Sequence, residues 1–297
     1  MGKVVARIKG GLGNQMFCYA AAKRLAIMSG CNLCLDTRSG FRWDYEYNRK
    51  YSLDVFNINE DQVGFREGLV WRLFRRSVRI LSRILPYNVR PYIEQEGVDF
   101  DPRILYRRVR YHLVLDGFWQ SENYFGDIKD IIRDVFRFKE SVIQECREVA
   151  RALEDSNSVA IHVRFFDEGS AGSEGYNLDK GYYLRAIDYI GGRVSDPIYY
   201  LFSNDVGRAK SMLADSGALI RTVGLTEGQR SEACDMYLMT RCRHLVIANS
   251  TFSWWAGWLA DFERKIVVAP HVRLEGVADW GFQGLIPESW VSIEAIA

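Results

Sequence analysis

Asn249-Ser250-Thr251-Phe252-Ser253-Trp254-Trp255-Ala256-Gly257-Trp258 follows directly on the apolar run 244–248. The run predicts a buried strand, and the residues from Phe252 onward predict an apolar, aromatic helix. Between them stand small hydroxylated residues. Such residues cap a helix, and with its free N–H groups they form a seat for a phosphate. Three tryptophans within five residues make this a rigid, packed junction. A rigid anion seat at the carboxyl end of a strand points to a nucleotide or nucleotide-sugar enzyme.

Outward from this junction the second half of the chain alternates regularly. Strands fit at 159–164, 198–202, 218–223, 244–248 and 266–269, with helices at 179–190, 205–215, 231–241 and 252–261. That alternation predicts a parallel, doubly wound sheet. The first half is a rougher version of the same pattern. It opens with a strand at 4–8, a Gly-rich turn at 10–15, a helix at 16–29 capped by Gly30, and a strand at 31–35. A helix at 65–85, a strand at 112–115 and helices at 121–136 and 141–154 follow. The fold class is therefore α/β, with two Rossmann-like lobes facing a cleft. The boundary is drawn at 156/157, giving lobes 1–156 and 157–297.

Composition narrows the function classes. The 297 residues are 48% hydrophobic and 13% aromatic, as in a well-packed globular protein. Basic and acidic residues nearly balance at 39 against 38, which argues against a general nucleic-acid surface. No stretch approaches the ~18 apolar residues of a spanning helix. The N-terminal residues lack the apolar core of a signal peptide, so the chain is expected in the cytoplasm. Cys31 and Cys34 form a C-x-x-C, but in a strand they fall on opposite faces, and no second pair completes a zinc set. The six cysteines are expected to be free thiols.

Ligands of doubly wound sheets bind outside the carboxyl ends of the strands. Strand 159–164 contains His162 and Arg164 and leads to Phe165, Phe166 and Asp167; 198–202 leads to Ser203, Asn204 and Asp205; 244–248 leads to Asn249, Ser250 and Thr251. Arg164 can fork onto phosphate oxygens. Hydroxyls and N–H groups from Ser250 to Ser253 can take the rest. His162 and Asp205 can read a purine edge, since a carboxylate matches the N1–H and N2–H₂ donors of guanine. Each element also has a plain structural reading: a satisfied core histidine, an Arg164–Asp167 ion pair, a Ser-Asn-Asp helix cap. The functional reading rests on all three clusters lying at the same end of one sheet.

The first turn, Gly10-Gly11-Leu12-Gly13-Asn14-Gln15, resembles a dinucleotide fingerprint whose third glycine position is Met16, with Asp36 where a ribose-binding acid would lie. A nicotinamide-dependent nucleotide-sugar oxidoreductase or epimerase is accordingly the competing enzyme class. The polar pair Asn14-Gln15 is expected to face the cleft. Asp99-Phe100-Asp101, followed by Pro102, is read as structural, and no metal site is assigned.

Taken together these motifs resemble those of the bacterial α-1,2-fucosyltransferases. The likeness runs nearly end to end: Gly10 to Phe17, then Gly117-Phe118-Trp119-Gln120-Ser121-Glu122-Asn123-Tyr124-Phe125, then Phe202-Ser203-Asn204-Asp205. It continues through Asp235-Met236-Tyr237-Leu238-Met239, Asn249 to Leu259, and Ile286-Pro287-Glu288-Ser289-Trp290. The resemblance implies a GT-B-type fold, with an acceptor-side lobe first and a GDP-fucose lobe second. It implies metal-independent, inverting transfer of L-fucose from GDP-β-L-fucose to the 2-hydroxyl of a galactoside in a bacterial surface polysaccharide. By position, His162 and Asp205 would lie near the guanine, and Asn204 would be among the donor-binding residues. Arg164, Ser250, Thr251 and Ser253 would hold the diphosphate, and Gly11, Gly13 and Asn14 would close over the β-phosphate and fucose. One departure stands out. The family pattern H-x-R-R-x-D reads His162-Val163-Arg164-Phe165-Phe166-Asp167 here. A cation is missing, which motivates a third reading, a sugar-nucleotide-binding protein that has lost turnover. Phe165 is expected to pack inside its lobe, because an aromatic ring offers a diphosphate no donor.

Asp167 and Glu168 are the nearest candidates for a general base. Across 65–85, Leu69, Val70, Leu73, Phe74, Val78, Leu81, Ile84 and Leu85 fall on one helical face, and Arg72, Arg75, Arg76, Arg79 and Arg83 on the other. The plain reading docks the apolar face in the core. The sharper one rests the basic face on an anionic membrane leaflet beside a lipid-linked, galactose-terminated acceptor.

Overall fold

The structure, a computed structural model, describes residues 2–45, 47–63, 69–166, 176–223, 231–272 and 280–296, with the backbone alone for 69–76. The chain divides into two compact units, Met1–Arg137 and Phe138–Ala297. The division precedes the helix Glu140–Glu154, which packs on the helix Glu232–Thr240 of the second unit. The expected boundary lay after that helix, because strand–helix alternation does not reveal which sheet a helix covers.

The first unit contains β1 (Lys3–Arg7), α1 (Leu12–Ser29), β2 (Asn32–Asp36), β3 (Asp61–Gln62), α2 (Leu69–Ile84), β4 (Tyr92–Glu94), β5 (His112–Asp116) and α3 (Lys129–Val135). Its sheet is parallel, in the order β3-β2-β1-β5-β4. The order reverses between β1 and β5. Helix α1 begins earlier than expected. Gly10, at φ 77°, makes the turn and Gly11 is the N-cap, so Gly13 and Asn14 already lie in the first helical turn. Only glycine adopts the conformation of Gly10 without cost. Gly30 ends α1 in the left-handed conformation (φ 61°), as expected. The helix expected over 121–136 is interrupted: two short 3₁₀ turns, Glu122–Tyr124 and Gly126–Ile128, lead into α3, with Phe125 between them.

Helix α2 shows which of its faces meets the protein. Ser82 is buried and its Oγ accepts the Tyr92 N–H at 3.2 Å. Arg79 and Arg83 both pair with Glu94 at the end of β4. Ile80, Leu81 and Ile84 are 58%, 50% and 79% exposed. The expectation that Leu81 and Ile84 dock in the core is therefore corrected. Periodicity identifies an apolar face but not its partner, and here polar pairing with β4 turns that face outward.

The second unit contains α4 (Glu140–Glu154), β6 (Ser158–Val163), α5 (Lys180–Gly191), β7 (Ile198–Ser203), α6 (Val206–Leu213), β8 (Ile220–Thr222), α7 (Glu232–Thr240), β9 (His244–Val246), α8 (Thr251–Leu259), β10 (Val267–Val272) and β11 (Val291–Ala295). All its strand pairs are parallel, in the order β11-β10-β9-β6-β7-β8. This is the doubly wound order, with the reversal between β6 and β9. Strand β6 is buried along its whole length, as a strand covered on both faces must be. The apolar cluster on one side of the sheet joins Val159, Ile161, Val163 and Phe165 to Tyr182, Tyr183, Ala186 and Ile190 of α5 and Leu213 of α6. Phe165 is 8% exposed, so the ring packs inside its unit as expected.

All six cysteines are free thiols; Cys31 is half-buried and the other five are buried. Burial pushes the Cys18 and Cys242 thiols up to about 12. Among the described residues no helix is long and apolar enough to cross a membrane.

Candidate active site

The reversal point of the second sheet assembles the clusters singled out from the sequence. Strand β6 pairs β7 up to Val163↔Ser203 and pairs β9 up to Ile161↔Val246, so their carboxyl ends lie side by side. His162 is the last residue but one of β6, Arg164 follows the strand half-buried, Asn204 and Asp205 follow β7, and Asn249 and Ser250 follow β9. A buried tyrosine holds this edge. The Tyr182 hydroxyl lies 2.6 Å from the carbonyl of Ile247 and 3.2 Å from that of Val268, tying α5 to the residue after β9 and to the start of β10. Sequence reasoning missed Tyr182, because a contact spanning 65 positions leaves no local signal.

His162 is buried, and its ring lies 5.7 Å from that of Phe252. Its Nδ1 has no hydrogen-bond partner among the described residues. Asn249 is likewise buried; its Nδ2 donates to the Tyr176 carbonyl at 2.7 Å, and its Oδ1 is unpartnered among the described residues. Buried polar atoms without partners are rare, because each costs about 1–3 kcal/mol. Two of the nine such atoms among the described residues lie at this one reversal point. Burial, and secondarily the charge of Arg164, lowers the His162 imidazole to about 3. The ring is therefore neutral when folded and protonates near its ordinary value of about 6.5 when unfolded. Stability is then full above pH 6.5 and declines as pH falls toward 3, since the unfolded chain binds the extra proton. Chemical unfolding at a series of pH values should show this loss, and His162→Gln should flatten it. An unchanged slope in that variant would remove His162 as its source.

The junction that decided the fold is formed somewhat differently from expectation. Ser250 is the N-cap of α8, but its side chain makes no capping bond. Instead the Ser250 N–H donates to the Ala248 carbonyl at 2.8 Å. Ser253 is fully buried, and its hydroxyl faces the carbonyls of Ser250 at 3.3 Å and Ala248 at 3.5 Å. Its side chain braces the turn, while the N–H groups of the first helical turn have no intrahelical acceptor. The tryptophans form the packed anchor anticipated for them. Trp254 and Trp255 are fully buried, and Trp254 Nε1–H donates to the Leu285 carbonyl at 2.7 Å. Trp254 stacks on Trp258 with ring centroids 6.4 Å apart and planes at 10°, and it also packs on Trp290 at 5.4 Å.

Asn204 and Asp205 take the capping role weighed earlier, and more. Asp205 caps α6 by accepting the Arg208 N–H at 2.9 Å. Asn204 Oδ1 accepts the Phe165 N–H and its Nδ2 donates to the Phe165 carbonyl, both at 2.9 Å. Asp167 and Glu168 lie outside the described residues.

In the first unit the reversal between β1 and β5 carries the Gly-rich turn and the segment after Asp116. Asn14 Oδ1 accepts from Gln120 Nε2 at 2.7 Å across it. Gln15 does not face solvent. It is fully buried, donates to the Gly10 and Lys50 carbonyls at 2.8 Å and accepts the Ser52 N–H at 2.8 Å, bracing the loop after β2. Asp36 is also buried; it accepts the Ser39 N–H at 2.9 Å and the Ser39 hydroxyl. A carboxylate spent this way on its own loop is not offering itself to a ribose, which removes the main support for a nicotinamide enzyme. Asp101 caps a 3₁₀ turn and pairs with Arg103, the structural role expected for the D-x-D string. Among the described residues no three His, Cys, Asp or Glu side chains gather as metal ligands. Missed from the sequence was Asp116, buried against Arg7, Lys9 and the Tyr92 hydroxyl. Burial opposes its ionisation, but Lys9 and Arg7 outweigh it and hold the carboxyl at about 2.

The family model described as Glycosyl transferase family 11 matches residues 97–275. An α-1,2-colitosyltransferase of Escherichia coli is 30% identical over 99% of this chain and 100% of its own length. An O-antigen biosynthesis glycosyltransferase, WbnK, of Escherichia coli is 27% identical over 96% of this chain and 99% of its own. Galactoside 2-alpha-L-fucosyltransferase Sec1 of Mus musculus is 25% identical over 87% of this chain and 64% of its own. Among solved structures, a variant of FUT1 from Arabidopsis thaliana in complex with GDP superposes with a TM-score of 0.55 at 14% identity, covering 93% of this chain and 71% of that one. That likeness extends to the fold.

Proposed function

Because the chain belongs to glycosyl transferase family 11, we propose that it transfers L-fucose from GDP-β-L-fucose to the 2-hydroxyl of a galactoside, in the synthesis of a bacterial surface glycan. The observation that carries this reading is the reversal point of the second sheet. There Arg164, the open first turn of α8 and the two unpartnered buried atoms of His162 and Asn249 meet. In that reading the anionic groups of a nucleotide diphosphate face Arg164, Ser250, Thr251 and the N–H groups of α8. The base lies toward His162 and Asp205.

Transfer is a single displacement. The fucose C1–O bond to the β-phosphate breaks and its electron pair leaves with GDP. The acceptor oxygen bonds C1 from the opposite face, and the hydroxyl proton passes to a base or to water. Negative charge grows on the departing phosphate, so fixed donors aimed there stabilise the transition state more than the ground state. A neutral His162 adds no charge of its own and serves as a hydrogen-bonding partner. The reaction proposed here needs no metal ion. Release of GDP from GDP-fucose with a galactoside acceptor, measured with and without EDTA, tests the reading. No transfer to any galactoside, or complete dependence on a divalent ion, would overturn it.

A second donor is favoured by one observation, the likeness to an α-1,2-colitosyltransferase over the whole chain. GDP-colitose, which lacks the 3-hydroxyl of fucose, belongs in the same assay. Whichever donor gives the higher kcat/KM decides between them.

The exposed face of α2 supports a proposed site of action at an anionic membrane, where a lipid-linked acceptor would lie. Ile80, Leu81, Ile84 and Val89 are all at least half exposed, and Glu67 is the only acid between Arg66 and Arg90. Apolar side chains flanked by basic ones suit an interfacial helix. The protein should sediment with phosphatidylglycerol vesicles at low salt, and the combined Ile80→Ser and Ile84→Ser substitutions should abolish this. Equal recovery with and without vesicles would end the membrane reading.

A further inference from the structure

We propose that Gln95 and Gln120 are positioning residues for Asn14, a chain of side-chain amides that turns the Asn14 N–H₂ group toward an oxygen of the sugar nucleotide. This rests on the reading of Asn14 as a residue that faces the donor. The chain starts at the turn after β5. Gln95, just past β4, accepts the N–H groups of Phe118 at 2.8 Å and Trp119 at 2.9 Å with its one oxygen. Gly117 lets the side chain come so close: a Cβ there would lie 2.5 Å from the Gln95 Cβ and 2.8 Å from its Oε1. From the other side the Cys18 thiol of α1 donates to the Gly117 carbonyl at 3.1 Å. The turn ends at Gln120, whose Nε2 donates to Asn14 Oδ1 at 2.7 Å.

Two features show that this turn is held against its local preference. Trp119 is in the left-handed conformation, at φ 55°, which a bulky residue avoids. Its indole is buried, and its Nε1–H has no hydrogen-bond partner among the described residues. A strained backbone persists only where its surroundings over-determine it, and such places cluster at functional sites. Here the surroundings are Gln95 and Cys18, and the result is the reach of Gln120 to Asn14. That bond has a chemical consequence. An amide side chain carries an acceptor oxygen on one side and an N–H₂ donor on the other. With Oδ1 engaged by Gln120, the group that Asn14 presents is the donor. Gly10 makes room for it, since a Cβ there would come within 2.8 Å of Asn14 Nδ2. Asn14 and Gln120 are both half-buried at the reversal between β1 and β5, the edge where this sheet type takes its ligand. A fixed N–H₂ donor at that edge matches a phosphate or sugar oxygen of the nucleotide.

Side-chain amide NMR and kinetics test the chain separately. The Asn14 N–H₂ signals, identified by their loss in Asn14→Asp, should move in Gln120→Ala and in Gln95→Leu. They should stay in place in Gln95→Glu, whose carboxylate still accepts both N–H groups. With GDP-fucose and a galactoside, Gln95→Leu and Gln120→Ala should each lower kcat by about ten- to a hundredfold, the scale of lost alignment. Their combination should be within about twofold of the worse single variant, because both act through one bond. Gln95→Glu should recover most of the rate. Asn14 signals unmoved in Gln95→Leu, or losses that multiply in the double variant, would overturn the proposal. Should Gln95→Leu not fold, Gln120→Ala decides: unmoved Asn14 signals with parental kcat overturn it equally. A parent protein that transfers no fucose would remove the donor reading, while the NMR measurement still decides whether the three amides are linked.

Discussion

Arg164→Ala is expected to lower kcat/KM for GDP-fucose by roughly 30- to 1,000-fold, equivalent to about 2–4 kcal/mol of transition-state stabilisation. The magnitude is large because Arg164 lies half-buried at the reversal point of the second sheet, where water screens a charge poorly. Its effect should fall mainly on kcat, since charge on the departing phosphate is greatest in the transition state. Steady-state rates with saturating acceptor would show this. A variant retaining near-parental kcat/KM would rule out Arg164 as the phosphate clamp.

Trp254→Ala is expected to destabilise the second unit by about 3–5 kcal/mol, the range for removing a buried tryptophan. Three losses coincide: the fully buried indole, its stacking on Trp258, and the hydrogen bond that satisfies the Leu285 carbonyl. Urea unfolding followed by circular dichroism would measure it. The two units need not unfold together, so their transitions should be fitted separately. A shift below about 1 kcal/mol would contradict the anchoring role given to Trp254. Because α8 carries both this anchor and the proposed anion seat, the variant should also bind GDP more weakly near its unfolding transition than far below it.

Much of the second unit was legible before its structure. Long apolar runs such as 159–164 and 198–202 predict β6 and β7, and the polar residues after them meet at one sheet edge. Tyr92–Glu94 and Asp61–Gln62 are too short for a period to show. The edge strand β11 follows a Pro-Glu-Ser-Trp turn that drew attention away from it. Side-chain direction was the harder matter. Gln15 and Ser253 are polar residues turned inward onto backbone carbonyls, while Ile80 and Ile84 are apolar residues turned outward. In each case the deciding partner is distant in sequence or is the backbone itself.

The distribution of thiols turns the cysteines into reporters. Cys18, Cys31 and Cys34 belong to the first unit, and Cys146, Cys234 and Cys242 to the second. A thiol must become a thiolate to react, and burial suppresses both ionisation and access. Alkylation of the second unit's three buried cysteines at neutral pH therefore counts openings of that unit alone. Cys18 and Cys34 do the same for the first unit, against the faster background of half-buried Cys31. Mass spectrometry of the labelled peptides, with and without nucleotide, would time the breathing of each half of the native protein without any engineered probe.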